Sequence, residues 1–175
     1  MVPLPNSLAI RPLEAHEWPK YREVRLRSLA DSPDAFCSTL AAEQDRTPEA
    51  WAARLSAAAV SGQDYPLIAE LAGAVVGLVW AKVDGTNPSV VNVFQVWVAP
   101  ESRGRGVAAT LLREAIKWAR SKNARFVQLG VTCGDNSAVR LYVREGFQDV
   151  GSPEPRQGSP LLEQTMRLAI DSGER

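Results

Sequence analysis

Between Ala99 and Ala109 the chain reads Ala99-Pro100-Glu101-Ser102-Arg103-Gly104-Arg105-Gly106-Val107-Ala108-Ala109, a glycine turn between an apolar run and a helical pattern. Glycines let a backbone approach a ligand with its N–H groups turned outward, and a helix N-terminus adds a positive dipole. That combination accepts phosphate oxygens. A plain strand-to-helix turn also uses glycine, so glycine content leaves the two readings level. Three phosphate patterns compete. A P-loop needs Gly-Lys-Ser/Thr, and Val107 follows Gly106 instead. The dinucleotide pattern G-x-G-x-x-A is formally met by Gly104, Gly106 and Ala109. However, it lies late in the chain, and Arg125 to Thr132, the following strand, holds no acidic residue. The third is R-x-x-G-x-A, carried by Arg103, Gly106 and Ala108. Metal chemistry is not indicated: Cys37 and Cys133 are far apart, and His16 is the single histidine. Both cysteines read as small buried side chains.

The elements that must position this turn follow from periodicity and punctuation. Leu8 to Leu13 reads as a strand ended at Pro12, and Glu17 to Ala30 as a helix carrying Trp18, Tyr21, Val24, Leu26 and Leu29. Thr47-Pro48-Glu49 reads as an N-cap with proline at the first helical position, opening a helix that ends before Gly62. Pro66–Leu71, Val75–Val83 and Val90–Val98 read as an antiparallel meander. Val107–Ser121 is an amphipathic helix, Arg125–Thr132 a strand, and Ser137–Glu145 a helix closed by Gly146. Phe147–Val150 and Leu161–Leu168 read as a final strand pair, with Gly151 to Pro160 as a loop between them. The expectation is one α+β domain over residues 1–175 (α/β three-layer), with a mixed, mostly antiparallel central sheet flanked by helices.

At two places the chain resembles the GCN5-related N-acetyltransferase (GNAT) family. One is the turn after Val98-Ala99-Pro100. The other is Asn136-Ser137-Ala138-Val139-Arg140-Leu141-Tyr142-Val143-Arg144-Glu145-Gly146-Phe147, similar to the family's N-x-x-A-x-x-L-Y-x-x-x-G-F. The resemblance implies a slot for acetyl-CoA between splayed strands and no metal. It assigns the pyrophosphate to backbone N–H groups of Arg103, Gly104, Arg105, Gly106, Val107 and Ala108, with Ala109 adjoining. It pairs the pantetheine arm with backbone groups of Val96 and Val98, and places Asn136 beside that arm. Asn136 also fits as N-cap of the adjoining helix. The Val98 N–H would stabilise an oxyanion, and Tyr142 would act as general acid toward the departing thiolate. A phenol of pKa about 10 suits that task.

An amine must lose a proton before attacking a thioester, and many family members carry a glutamate on the strand entering the turn. Asn92 and Phe94, with Gln95 next, stand at the equivalent positions. Glu43, Asp45 and Glu70 are alternative carboxylates. Acceptor choice falls to Ser28–Trp51 and the loop Gly151–Pro160, with Trp80, Phe94 and Trp97 as candidate pocket aromatics. The leading expectation is acetylation of the primary amine of a small molecule. Acetylation of a protein N-terminus or lysine, and a non-catalytic acyl-CoA-binding module, are the alternatives. A homodimer through the exposed side of the sheet is compatible with this pattern.

Composition bounds the partners. The 175 residues hold 20 basic and 20 acidic side chains, so there is no global basic field for nucleic acid or an anionic membrane. No apolar run reaches the roughly 20 residues of a membrane span, and the first residues do not read as a secretory signal. A cytoplasmic protein with reduced thiols is expected. Charge is unevenly distributed: Glu101 to Arg125 nets +5, whereas Asp31 to Glu70 nets −5. The basic half suits an anionic cofactor, and the acidic half could attract a cationic amine.

Overall fold

The computed structural model describes residues 7–134, 136–156 and 159–171. Strands β1 (Leu8–Pro12), β2 (Asp64–Leu71), β3 (Ala74–Val83), β4 (Val90–Val98), β5 (Phe126–Thr132), β6 (Gln148–Pro155) and β7 (Leu162–Ala169) form one sheet in the order β1-β2-β3-β4-β5-β7-β6. Only β4 and β5 run parallel; every other neighbouring pair is antiparallel. Among the described residues five α-helices accompany the sheet: α1 (Trp18–Asp31), α2 (Leu40–Gln44), α3 (Pro48–Ser61), α4 (Val107–Ser121) and α5 (Ser137–Arg144).

Local chemistry sets the helix ends. Thr47 caps α3 by accepting from the Ala50 N–H at 3.1 Å, Pro48 occupies the first turn, and Gly62 closes the helix at φ +66°. Successive residues of β3 alternate faces. Trp80 packs on Tyr21 of α1, which also meets Trp51 of α3 edge-on at 5.6 Å. Gly77 lies against α4, where an added Cβ would come within 2.9 Å of Leu111 Cδ1 and 3.2 Å of the Trp97 carbonyl oxygen. A side chain there would force Leu111 to shift and crowd the Trp97 carbonyl. Leu111, Leu112, Ala115 and Ala119 are wholly buried along the inner stripe of α4. The result is helix, sheet and helix, three layers around one continuous core.

Two features of β4 matter for the site. Its register against β3 slips between Leu78↔Trp97 and Trp80↔Phe94, and Gln95 takes up the slip at φ +60°. A bulge of this kind bends the strand and re-aims the residues beyond it. On its other edge β4 pairs with β5 only through Val90↔Phe126, Val91↔Val127 and Asn92↔Gln128. Beyond Asn92 the two strands part, leaving one edge of β4 from Val93 to Val98 without a strand neighbour.

Two expectations need correction. Residues 151–155 are not loop: β6 continues to Pro155 as the outermost strand, with a register irregularity between Val150 and Glu154. An edge strand tolerates Pro153 and Pro155 because no further strand needs their missing N–H groups. Gln157 and Gly158, within the expected loop, lie outside the described residues. The short α2 was not anticipated; Thr39 caps it by accepting from Ala42 N–H at 3.2 Å.

Candidate active site

Where β4 and β5 part, a cleft of about 1040 Å³ opens. Its floor is the β4 edge. The Ala99 N–H donates to Val76 on β3 at 2.8 Å, so strand alternation turns the N–H and carbonyl of Val98, and then of Val96, toward the cleft. The Val98 carbonyl is taken by Arg103 Nε at 3.0 Å. The Val98 N–H is left pointing into the gap.

The glycine turn forms one end. Gly104 and Gly106 sit at φ +77° and +76°, in the left-handed region, with nothing within 4 Å of an added Cβ. Gly106 supplies no side-chain cap to α4, and the N–H groups from Gly104 to Ala109 find no acceptor among the described residues. These donors and the dipole of a 15-residue helix converge on one spot. Of the expected series, the Arg103 N–H is instead committed to the Pro100 carbonyl at 3.3 Å. The Arg103 side chain is committed too, bonding Asp31 as well as Val98. Asp31 also accepts from Trp97 Nε1 at 2.9 Å and from the Ser32 hydroxyl at 2.7 Å. The Ser32, Trp97 and Arg103 bonds hold the Asp31 carboxyl below the usual range. Arg103 therefore anchors the turn to the end of α1, whereas Arg105 is exposed and makes no ion pair among the described residues.

The opposite wall belongs to α5. Asn136 Oδ1 caps this helix through the Val139 N–H at 2.9 Å, and its Nδ2 donates to Thr132 O at 3.0 Å. One amide hydrogen and one lone pair stay available to a ligand. Tyr142 is 6% exposed, lines the cleft, and packs on Phe147 at 5.8 Å. Its hydroxyl has no hydrogen-bond partner among the described residues, and burial pushes its pKa upward. The phenol keeps its proton throughout the neutral range.

The cleft is also lined by Asp31 to Ser38, Phe94, Arg25, Arg156 and Glu163. Arg156 is buried; Nε bonds Glu163 at 2.9 Å while the two Nη atoms reach the carbonyls of Asp34, Ala35 and Phe36 at 2.7 to 3.4 Å. Cys37 is exposed here rather than buried, donating to Glu163 at 3.7 Å. Desolvation and the neighbouring Glu163 charge push its thiol pKa up, away from a reactive thiolate.

The alternative carboxylates named from sequence lie elsewhere. Glu43 is buried against Arg46 and Arg54, Glu70 pairs with Arg11 and Lys20, and Asp45 does not reach the cleft. Asn92 Nδ2 bonds Asp84 at 2.9 Å, and Gln95 accepts from Tyr21 OH at 2.9 Å. The cleft carboxylates among the described residues are Asp31, Asp34 and Glu163. Of the aromatics, Phe94 and Trp97 line it, whereas Trp80 stays in the core with Nε1 on Asp64 at 3.0 Å. Among the described residues no His/Cys/Asp/Glu group could hold a metal, and no helix is long and apolar enough to cross a membrane.

A mixed sheet parted between its parallel strands, with an uncapped helix N-terminus at the parting, is the fold class of the N-acetyltransferases. The chain belongs to the acetyltransferase (GNAT) family, whose pattern matches residues 13–147. A mycothiol acetyltransferase of Pseudarthrobacter chlorophenolicus is 28% identical over 148 residues, covering 82% of this chain and 43% of that protein. The chain thus spans less than half the length of the curated mycothiol acetyltransferases it matches. A GNAT-family acetyltransferase from Streptococcus pneumoniae superposes with a TM-score of 0.79 at 24% identity, over 94% of this chain and 99% of that one. The yncA protein of Salmonella typhimurium, solved with its cofactor acetyl-CoA, superposes at 0.78 with 20% identity, over 97% and 98% of the two chains.

Proposed function

We propose that this chain is a single-domain, cytoplasmic N-acetyltransferase that uses acetyl-CoA to acetylate the primary amine of a small molecule. The carrying observation is the parting of β4 from β5 beyond Asn92, which leaves a free strand edge beside unpaired α4 N–H groups and faces the Tyr142 phenol. The residues present fit the cofactor. Donors from Gly104 to Ala109 suit a pyrophosphate, and the exposed edge at Val96 and Val98 suits the amides of a pantetheine arm added like a strand. Acetyl-CoA supplies the acyl group activated as a thioester.

The chain's own groups then divide the work. The Val98 N–H is aimed where negative charge develops on an acyl oxygen. Tyr142 holds a proton at its hydroxyl and delivers it to sulfur as the carbon–sulfur bond breaks and the carbon–nitrogen bond forms. The proton lost by the amine goes to a carboxylate lining the cleft. Asp31, made a weaker base by three donors, and Glu163, bonded to Arg156 and Cys37, are less suited, so Asp34 takes that role, directly or through water. The small-molecule choice draws on relatives named for mycothiol.

The test is calorimetry with acetyl-CoA, followed by thiol release with a panel of small amines and short peptides. Binding together with release on small amines is the expected result. Binding without release would convert the reading to an acyl-CoA-binding module, and release with peptides alone would overturn the acceptor class.

A further inference from the structure

Arg25, on the inner side of α1, is 3% exposed yet lines the cleft. Its guanidinium lies 4.7 Å above the Phe36 ring. The polar partner it has is weak: Nη1 reaches Ser28 Oγ at 3.4 Å, and that hydroxyl already donates to the Arg25 carbonyl at 2.7 Å. Nε is buried with no hydrogen-bond partner among the described residues, and Arg25 joins no ion pair. Glu43, the carboxylate that acts on it electrostatically, is hydrogen-bonded to Arg46 at 2.7 Å and lies 3.5 Å from Arg54. Burial consequently disfavours its charged form. A guanidinium keeps its charge in proteins, and a buried one without a partner is costly.

The surrounding charges sharpen what would relieve that cost. The described cleft residues include Arg25, Arg103, Arg140, Arg144 and Arg156 against Asp31, Asp34 and Glu163. Asp31 is engaged by Arg103, and Glu163 by Arg156. Asp34 is the one carboxylate of this group without a cationic partner among the described residues. With Arg103 and Arg156 engaged in these pairs, Arg25 and Asp34 remain as one cation and one carboxylate, which suits an acceptor with one charge of each sign.

We propose that the amine acetylated here carries a carboxylate, and that Arg25 binds this carboxylate through its planar fork. The inference rests on the acetyltransferase reading and names the acceptor class within it. A carboxylate on a guanidinium makes paired, charge-assisted hydrogen bonds, and Arg25 has donors to spare for them. Acceptors lacking the carboxylate would leave the buried cation uncompensated, which is a strong basis for discrimination.

The experiment compares matched acceptors on the full chain: L-amino acids, the same amino acids as α-amides, and the amines left after decarboxylation. Thiol release from acetyl-CoA is the readout. The expected result is a kcat/KM at least about tenfold higher for the carboxylates, expressed mainly in KM. In Arg25→Met that ratio should fall toward one, and Arg25→Lys should restore part of it. Calorimetry with acetyl-CoA checks that each variant is folded. Should Arg25→Met fail to fold, the wild-type ratio and Arg25→Lys still decide the matter. Equal or better use of amides and plain amines would overturn this inference alone, as would a preference that survives in Arg25→Met. Acetyl-CoA binding with no transfer to any amine would overturn the functional reading, and this inference with it.

Discussion

Tyr142 is a phenol in an apolar wall, and its environment sets the direction of its chemistry. Burial raises its pKa and no partner among the described residues stabilises a phenolate, so it acts as a proton donor and not as a base. Tyr142→Phe keeps the ring, its packing on Phe147 and the shape of the cleft while removing the proton. General-acid contributions run roughly 10²–10⁴-fold, so kcat should fall within that range while acetyl-CoA affinity by calorimetry stays within about twofold. An unchanged kcat removes Tyr142 from the proton path. Arg25 shows why some site residues escape a reading of sequence. Helical spacing puts it on the inner stripe of α1, four residues after Tyr21 and four before Leu29, but an arginine there reads as a surface charge. What the spacing does not show is that Phe36 folds back to cover its guanidinium at 4.7 Å. Arg156 and Glu163 are similar cases: their meeting at the cleft depends on the β6–β7 return, whose first half looks like loop.

At the scale of elements, two glycines near the same helix do different jobs, and substitution separates them. At Gly106 an added Cβ meets nothing, so alanine introduces only the backbone strain of φ +76°, about 1–2 kcal/mol. Relief of that strain would rotate the first N–H groups of α4. Gly106→Ala should therefore fold with a modestly lower Tm and bind acetyl-CoA more weakly, by about tenfold, as read by calorimetry. At Gly77 the added Cβ meets Leu111 and the Trp97 carbonyl, and overpacking of this kind costs about 1–3 kcal/mol. Gly77→Ala should lower Tm more than Gly106→Ala does and disturb acetyl-CoA binding less; the reverse ranking would refute the division. These elements were also the most legible ones. β4 and α4 begin and end where Pro100, Gly106 and the apolar patterns place them, because strong breakers flank strong periodicity. The extension of β6 through Pro153 to Pro155 was not legible, since proline argues against a strand unless the strand is known to be an edge. Edge position is a property of the sheet. The parting of β4 from β5 is likewise invisible in the residues of either strand and entered only through the family resemblance.

Across the whole molecule, neutrality at pH 7 arises from 20 acidic and 20 basic residues, many of them tied in pairs. The acidic half does not form a field at the cleft. Glu43, Glu70 and Asp64 are bonded to neighbours elsewhere, and Asp31 is consumed by Arg103 and Trp97. Those bonds carry a consequence for acid stability. The Arg11 hydrogen bond holds Glu17 at about 2, and hydrogen bonds from Thr86, Asn92 and Asn87 hold Asp84 at about 2. Asp31 and Glu101 are lowered as well, Glu101 chiefly by Arg27. Each of these groups has a folded pKa below its unfolded value of about 4. Their contribution is thus fully present above roughly pH 4–5 and is lost as pH falls toward 2. Tm should accordingly be level from pH 6 to 8 and drop steeply below about pH 4.5, as protonation also leaves the 20 basic residues unbalanced. Glu17→Gln removes one of the titrating carboxylates together with the Arg11 ion pair between β1 and the start of α1. It should lower Tm at pH 7 and make the acid limb shallower, as followed by circular dichroism across the range. A decline that begins near pH 6, or an acid limb unchanged in Glu17→Gln, would show that stability is governed by groups other than these paired carboxylates.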